Sequence, residues 1–425
     1  MKFEAMPEKM ISSRYNDAKE IYSSLGVDTE KAMKALSGVK VSMHCWQGDD
    51  VGGFEVSETG LTGGIMATGN HPGRARNADE LRKDAEKAFS LIPGKQRFNL
   101  HAIYLESKGK FVDRDNVSAE HFSGWIDWAK EQGVGLDFNP TFFSHPKSSS
   151  GMTLSNPDRS IRRFWIEHGI RSREIAAEFS KKLKSACVNN VWVPDGMKDA
   201  PADRLAPRQR LRESLDEIFK AKVGGNVKDA VEGKLFGIGS EEYVVGSHEF
   251  YLAYSITRKK LVCMDMGHYH PTETINDKLS AVLPFVPELL IHVSRPIRWD
   301  SDHVVIMNDD LLNLAKEIVR CDALGKVYLA TDFFDASINR IGAWVIGMRS
   351  LQKALLFALL EPGAILKKFE IGGHNAEKLA LSEELRTLPF GDVWNYYCES
   401  KSVPVGTSWI GELEKYDMEV LSKRK

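Results

Sequence analysis

No two cysteines in this chain are spaced as C-x-x-C. Five are present, Cys45, Cys187, Cys263, Cys321 and Cys398, an odd number scattered along the sequence. That spacing argues against a disulfide framework and against a thiolate zinc site. Cys45, Cys187 and Cys263 fall in or beside apolar runs, where an unpaired cysteine serves as a small core residue. An excess of one charge is also lacking: 57 lysines and arginines against 59 aspartates and glutamates leave a net charge of −2. A general nucleic-acid binder carries a basic face, so no nucleic-acid partner is expected. No apolar run approaches the roughly 18 residues a membrane helix needs. The first ten residues are polar and hold no apolar segment of the secretory kind. A cytoplasmic protein without a membrane partner is the expectation. Short internal repeats and low-complexity tracts are absent, and no G-x-G-x-x-G follows the first predicted strand, so no organic cofactor is expected.

What is present is the composition of a globular protein with a large core, 42% hydrophobic and 27% charged. Eight short apolar runs recur at 39–45, 98–105, 134–138, 188–193, 230–236, 261–266, 289–293 and 327–330. The fifth is broken by charge and by Gly233. Longer stretches with helical spacing lie between and after them, at 77–92, 118–131, 158–183, 207–222, 248–256, 275–285, 309–324 and 341–360. Ser118 and Gly133 flank one of these as a start and a stop. Strand–helix alternation of this length predicts crossover connections and a parallel sheet. Eight such units close most naturally into a (β/α)8 TIM-type barrel, and 425 residues suit one barrel with additions. The chain therefore divides into an N-terminal helical extension, 1–38, a catalytic barrel, 39–362, and a C-terminal helical tail, 363–425. Trp394, Tyr396, Tyr397 and Trp409 in the tail pack either on a partner or on the chain's own barrel.

Barrel enzymes draw their chemistry from the C-terminal ends of the strands and the loops that follow. The polar residues there are His44, His101, Asp137, Asn139, Trp192, Asp195, Glu232, Lys234, Asp265, His268, His292 and Asp332. A buried rim of unpaired charges costs several kcal/mol per ion, and bound cations are the natural compensation. Asp265 and His268 stand three residues apart at one strand exit. Asp300 and Asp302 form an Asp-x-Asp in a loop, where alternate residues of an extended segment face the same way. Asp332 and Asp335 follow the eighth run. Oxygen-rich ligation with some imidazole suits Mn2+, Mg2+ or Co2+.

These segments also carry a resemblance. The chain resembles the bacterial L-rhamnose isomerases along nearly its whole length, through the runs 41–50, 61–65, 99–106, 192–199, 204–208, 292–296 and 332–340. The resemblance implies two divalent metal ions, manganese first, with cobalt, zinc or magnesium as alternatives. It assigns Glu232, Asp265, His292 and Asp332 to a structural ion, with Asp335 as the fallback for the last. It assigns His268, Asp300 and Asp302 to a catalytic ion, with Asp265 open to sharing. Lys234 then polarises the substrate carbonyl, His101 hydrogen-bonds the sugar, Trp192 forms a flat wall, and Ile103 meets the methyl end of a 6-deoxy sugar. The implied reaction interconverts a sugar aldose and ketose by a hydride shift between C1 and C2, with Asp302 positioning the group that takes the hydroxyl proton. A homotetramer is implied as well, with Leu61–Met66 of the Gly-rich segment 60–69 covering a neighbour's pocket. Two rivals stay open: an isomerase of the same mechanism for another sugar, since a methyl is worth only about 1–3 kcal/mol of selectivity, and a metal-dependent barrel hydrolase.

Overall fold

The computed structural model describes residues 3–56, 67–236, 242–297 and 299–424, with residues 299–302 described by their backbone only. Eight parallel strands close into a barrel: β1 Val41–His44, β2 Arg97–His101, β3 Gly135–Asn139, β4 Cys187–Trp192, β5 Val227–Glu232, β6 Leu261–Asp265, β7 Leu289–Val293 and β8 Val327–Thr331. Each strand pairs with its sequence neighbours, and β1 pairs with β8 to close the ring. Helices cross between the strands and bury their apolar faces on the barrel's outside. Their ends follow the local chemistry. Asn77 accepts from the Glu80 amide at the start of Ala78–Leu91, and Asp158 accepts from the Ser160 amide at the start of Arg159–Leu183. Gly133 ends Ser123–Gln132 in the left-handed conformation, at φ 65°.

Several sequence expectations shift. The fifth strand runs Val227–Glu232 rather than 230–236. Its first half is charged, which hides it from a pattern search, but the charges are paired. Asp229 is bound by Arg173 at 2.9 Å and Lys260 at 2.8 Å, and Lys228 by Glu288 at 2.6 Å. The second strand stops at His101 and turns into a short 3-10 segment, Ala102–Tyr104. The N-terminal extension is two helices, Glu8–Ser24 and Thr29–Gly38, with Gly26 at φ 73° between them and Asp28 capping the second. The Asp-x-Asp lies on a strand and not in a loop: Trp299–His303 pairs antiparallel with Arg295–Ile297 just after β7.

The tail aromatics pack on the chain itself. Tyr396 stacks on Tyr15 with ring centroids 3.9 Å apart, and the Arg349 guanidinium lies 5.3 Å over Trp394 and 5.9 Å over Trp409. Trp394 and Tyr397 are buried in the main core. Among the described residues, no single helix is long and apolar enough to cross a membrane. Arg340–Leu359 and Gly363–Ile371 reach that length and composition only as a pair bent by 56°, and most of Arg340–Leu359 is buried against the barrel.

Candidate active site at the barrel mouth

Four side chains from consecutive barrel strands converge at the C-terminal end: Glu232 ends β5, Asp265 ends β6, His292 lies in β7 and Asp332 follows β8. One ligand atom from each lies within 4.8 Å of all the others. Register brings them together. Glu232 stands opposite Cys263, and Asp265 opposite His292, so inward side chains two residues apart fall at neighbouring heights. His292 Nδ1 is 3.1 Å from Asp332 Oδ2, 3.5 Å from Glu232 Oε2 and 3.6 Å from Asp265 Oδ2. His268 Nδ1 lies 3.0 Å from Glu232 Oε1.

Glu232, Asp265 and His292 are buried, and their protonation shows the strain of sharing one site. Burial pushes Glu232 up, but His292, His268 and Asn190 outweigh it and hold the carboxyl at about 2. Asp265 goes the other way. Burial, with Asp332 and Glu232 beside it, raises it to about 7 against the pull of His268 and His292. Burial disfavours protonation of His292, yet the facing Cys263, Glu232 and Asp332 raise it well above its ordinary value. Asp265 Oδ2 is fully buried and has no hydrogen-bond partner among the described residues. An unpartnered buried carboxylate oxygen is costly, and a divalent cation supplies the missing partner. Three carboxylates and an imidazole are a fitting donor set for a divalent ion. Glu232, Cys263 and His292 also come within ligand distance of one another. Burial pushes the Cys263 thiol far up, however, which disfavours the thiolate a metal would need.

The other residues singled out from sequence distribute as follows. His101 ends β2, with Nδ1 3.1 Å from Thr141 Oγ1, and its ring meets Trp46 at 4.9 Å and Phe143 at 5.7 Å, both edge to face. Phe143 in turn meets Trp192 at 5.7 Å, and Lys234 Nζ lies 5.1 Å over the Trp192 ring. His101, Trp192 and Lys234 therefore belong to one aromatic wall. Burial lowers His101 and His44 to about 4 each, so both are neutral imidazoles at pH 7. Ile103 is buried in the turn after β2. Its carbonyl accepts from the Phe54 and Glu55 amides, and its side chain lies so close to Gly53 that a Cβ there would sit 2.8 Å away. The side chains of Asp300 and Asp302, and the segment Leu61–Met66, lie outside the described residues.

Three acids from the strand exits and loops stand apart from the cluster. Asp137 is paired with Arg97 at 2.7 Å, and Arg97 begins β2, toward the opposite end of the barrel. Asp195 accepts from the amides and hydroxyls of Thr153 and Ser155. Asp335 accepts from the amide and hydroxyl of Ser337, so Asp332 rather than Asp335 lies in the cluster.

Sequence reasoning missed Asn190, Ser294 and Trp46, each of which donates a hydrogen bond to a cluster acid. A signal was available. Each stands two residues from a position already singled out, Trp192, His292 and His44, which is the spacing of one strand face.

A family model described as L-rhamnose isomerase (RhaA) matches residues 9–424. The chain is 57% identical over 418 residues to an L-rhamnose isomerase of Listeria innocua serovar 6a, covering 98% of this chain and 99% of that one. It is 55% identical over 415 residues to one of Rhodopirellula baltica, covering 97% of each. It is 55% identical over 408 residues to one of Escherichia coli O9:H4, covering 96% of this chain and 97% of that one. Among solved structures, a D-psicose 3-epimerase of Clostridium cellulolyticum H10 superposes with a TM-score of 0.48 at 14% identity, over 76% of this chain and 99% of that one.

Proposed function

The chain belongs to the L-rhamnose isomerase family, and from that premise we propose how its barrel mouth carries out the reaction. The enzyme interconverts L-rhamnose and L-rhamnulose, an aldose and a ketose, by moving hydrogen between C1 and C2. The observation that carries the metal-dependent reading is the cluster of Glu232, Asp265, His292 and Asp332, with Asp265 Oδ2 buried and unpartnered. These four hold one divalent cation, manganese first, with cobalt, zinc or magnesium as alternatives. His268, Asp300 and Asp302 hold a second, with Asp265 open to both. When bound, such ions supply Lewis acidity to the sugar's carbonyl and hydroxyl oxygens.

The chain's own residues do the rest. Lys234, placed over Trp192, orients and polarises the carbonyl oxygen. His101, neutral at pH 7, hydrogen-bonds the sugar without competing for its protons. Trp46, Phe143 and Trp192 form a wall that excludes water, and Ile103 is the proposed contact for the methyl end. Asp302 positions the group that takes the hydroxyl proton. No organic cofactor enters.

The hydrogen on carbon is proposed to move directly as hydride. A proton-transfer route needs a base near the C2 hydrogen with a pKa close to the working pH. Among the described residues, the cluster's acids would be held charged by a bound cation, Asp49 is held by Tyr104 and the Gly53 amide, and the imidazoles of His44 and His101 are pushed down to about 4. Asp137, Asp195 and Asp335 are each held by donors away from the cluster. Turnover in D2O, with C1 and C2 of the product read by NMR, is expected to show little deuterium. Stoichiometric deuterium at the migrating position would reject the hydride shift.

We further propose a homotetramer working in the cytoplasm. The absence of any disulfide among the five cysteines suits a reducing compartment. Sedimentation velocity is expected to give a tetramer, and a fully active monomer would remove the shared-pocket idea for Leu61–Met66.

A further inference from the structure

Each acid of the cluster is gripped by a donor that is not itself in the cluster. Ser294 Oγ donates to Asp265 Oδ1 at 3.0 Å, and the Gly267 amide donates to the same oxygen at 2.6 Å. Asn190 Nδ2 donates to Glu232 Oε2 at 2.5 Å. Trp46 Nε1 donates to Asp332 Oδ1 at 3.0 Å. In both aspartates the tied oxygen is Oδ1, and Oδ2 is the one turned toward His292. Glu232 differs: Asn190 ties Oε2, which itself lies 3.5 Å from His292 Nδ1, and Oε1 faces His268. The three donors are buried: Asn190 is 1% exposed, Trp46 3% and Ser294 3%. They come from three different elements, β4, the turn after β1 and the residue after β7, so no single local motif produces the pattern.

A carboxylate free to rotate can offer either oxygen, in several rotamers. One held by a buried donor on one oxygen offers the other in a fixed place. Asp265 shows this most clearly, since Oδ1 is held twice while Oδ2 has no hydrogen-bond partner among the described residues and only His292 Nδ1 at 3.6 Å. Resting on the metal reading above, we infer that Ser294, Asn190 and Trp46 are positioning residues for the cation: each fixes one oxygen of a ligand acid and so sets the orientation in which that acid meets the ion. Trp46 has a second contact, since its ring meets both His101, at 4.9 Å, and His44, at 5.1 Å. The indole thus connects a cluster acid to the aromatic wall.

The test is the Mn2+ affinity of metal-stripped protein by titration calorimetry, beside the melting temperature of the same metal-free samples. Ser294→Ala, Asn190→Leu and Trp46→Phe are each expected to weaken Mn2+ binding by about 10–100-fold, the scale on which partners of metal ligands act. The metal-free melting temperature is expected to stay near the parent's. Ser294→Thr keeps the hydroxyl and is expected to recover the parent affinity. Trp46→Phe keeps a ring against His101 while removing the N–H and part of the indole. Unchanged affinity in all three variants overturns the inference, as does a fall in melting temperature with affinity intact, which marks a purely structural role. A parent protein that binds no Mn2+ overturns it too, and then the fault lies in the metal reading itself.

Discussion

Asp302→Asn is expected to lower kcat on L-rhamnose by at least about a hundredfold, the scale of losing positioned acid–base help. The substitution keeps the shape of the side chain and removes its charge. Asp302 lies on Trp299–His303, a strand hairpinned onto Arg295–Ile297, which itself follows β7 and His292. The acid is therefore tied by a short antiparallel pair to the strand that carries a cluster residue. Glu232, Asp265, His292 and Asp332 are untouched by the change, so the melting temperature should remain close to the parent's, with and without Mn2+. Steady-state rates under saturating metal check this. Activity within a few-fold of the parent would take Asp302 out of the site.

Asp265→Asn should separate the cation from the fold. In the metal-free protein Asp265 is already raised to about 7 by burial and by Asp332 and Glu232, so at neutral pH much of its charge is gone. Replacing it with an amide then changes the metal-free stability little. The variant should nonetheless lose nearly all activity, and most of the stabilisation that Mn2+ gives. A ligand at a hundred times its Kd stabilises the folded state by about 2.7 kcal/mol. Calorimetric melting with and without Mn2+ should show that gain in the parent and little of it in the variant. Asp335→Asn is the control, because that carboxylate holds only Ser337 among the described residues. It should retain activity within a few-fold. An undiminished Mn2+ response in Asp265→Asn would place the ion elsewhere.

Much of this was legible in the sequence because a parallel barrel writes its strands as short apolar runs. Seven of the eight strands lie largely within such runs, β3 and β7 nearly to the residue. The fifth strand was misplaced because Lys228 and Asp229 look like a loop until Glu288, Arg173 and Lys260 are seen to pair with them. Those partners lie 31 to 60 residues away in sequence, beyond any local pattern. The same limit applies at the mouth. Strand ends pointed to Glu232, Asp265, His292 and Asp332, but also to Asp137 and Asp195, whose neutral duties depend on Arg97, Thr153 and Ser155. Choosing between Asp332 and Asp335 needed the loop's path, since only two residues separate them and only Asp332 joins the cluster. Trp46, Asn190 and Ser294 are marked only by standing two residues from His44, Trp192 and His292; which oxygen each holds depends on strands far apart in sequence.

We propose that a divalent cation held by Glu232, Asp265, His292 and Asp332 is needed for isomerisation. The most direct measurement is L-rhamnulose formation from L-rhamnose by chelator-stripped protein as Mn2+ is added back, with bound metal counted in the same samples. The stripped protein is expected to show no turnover, with a rate that climbs with occupancy to the parent value. Full turnover by protein verified to be metal-free would contradict it.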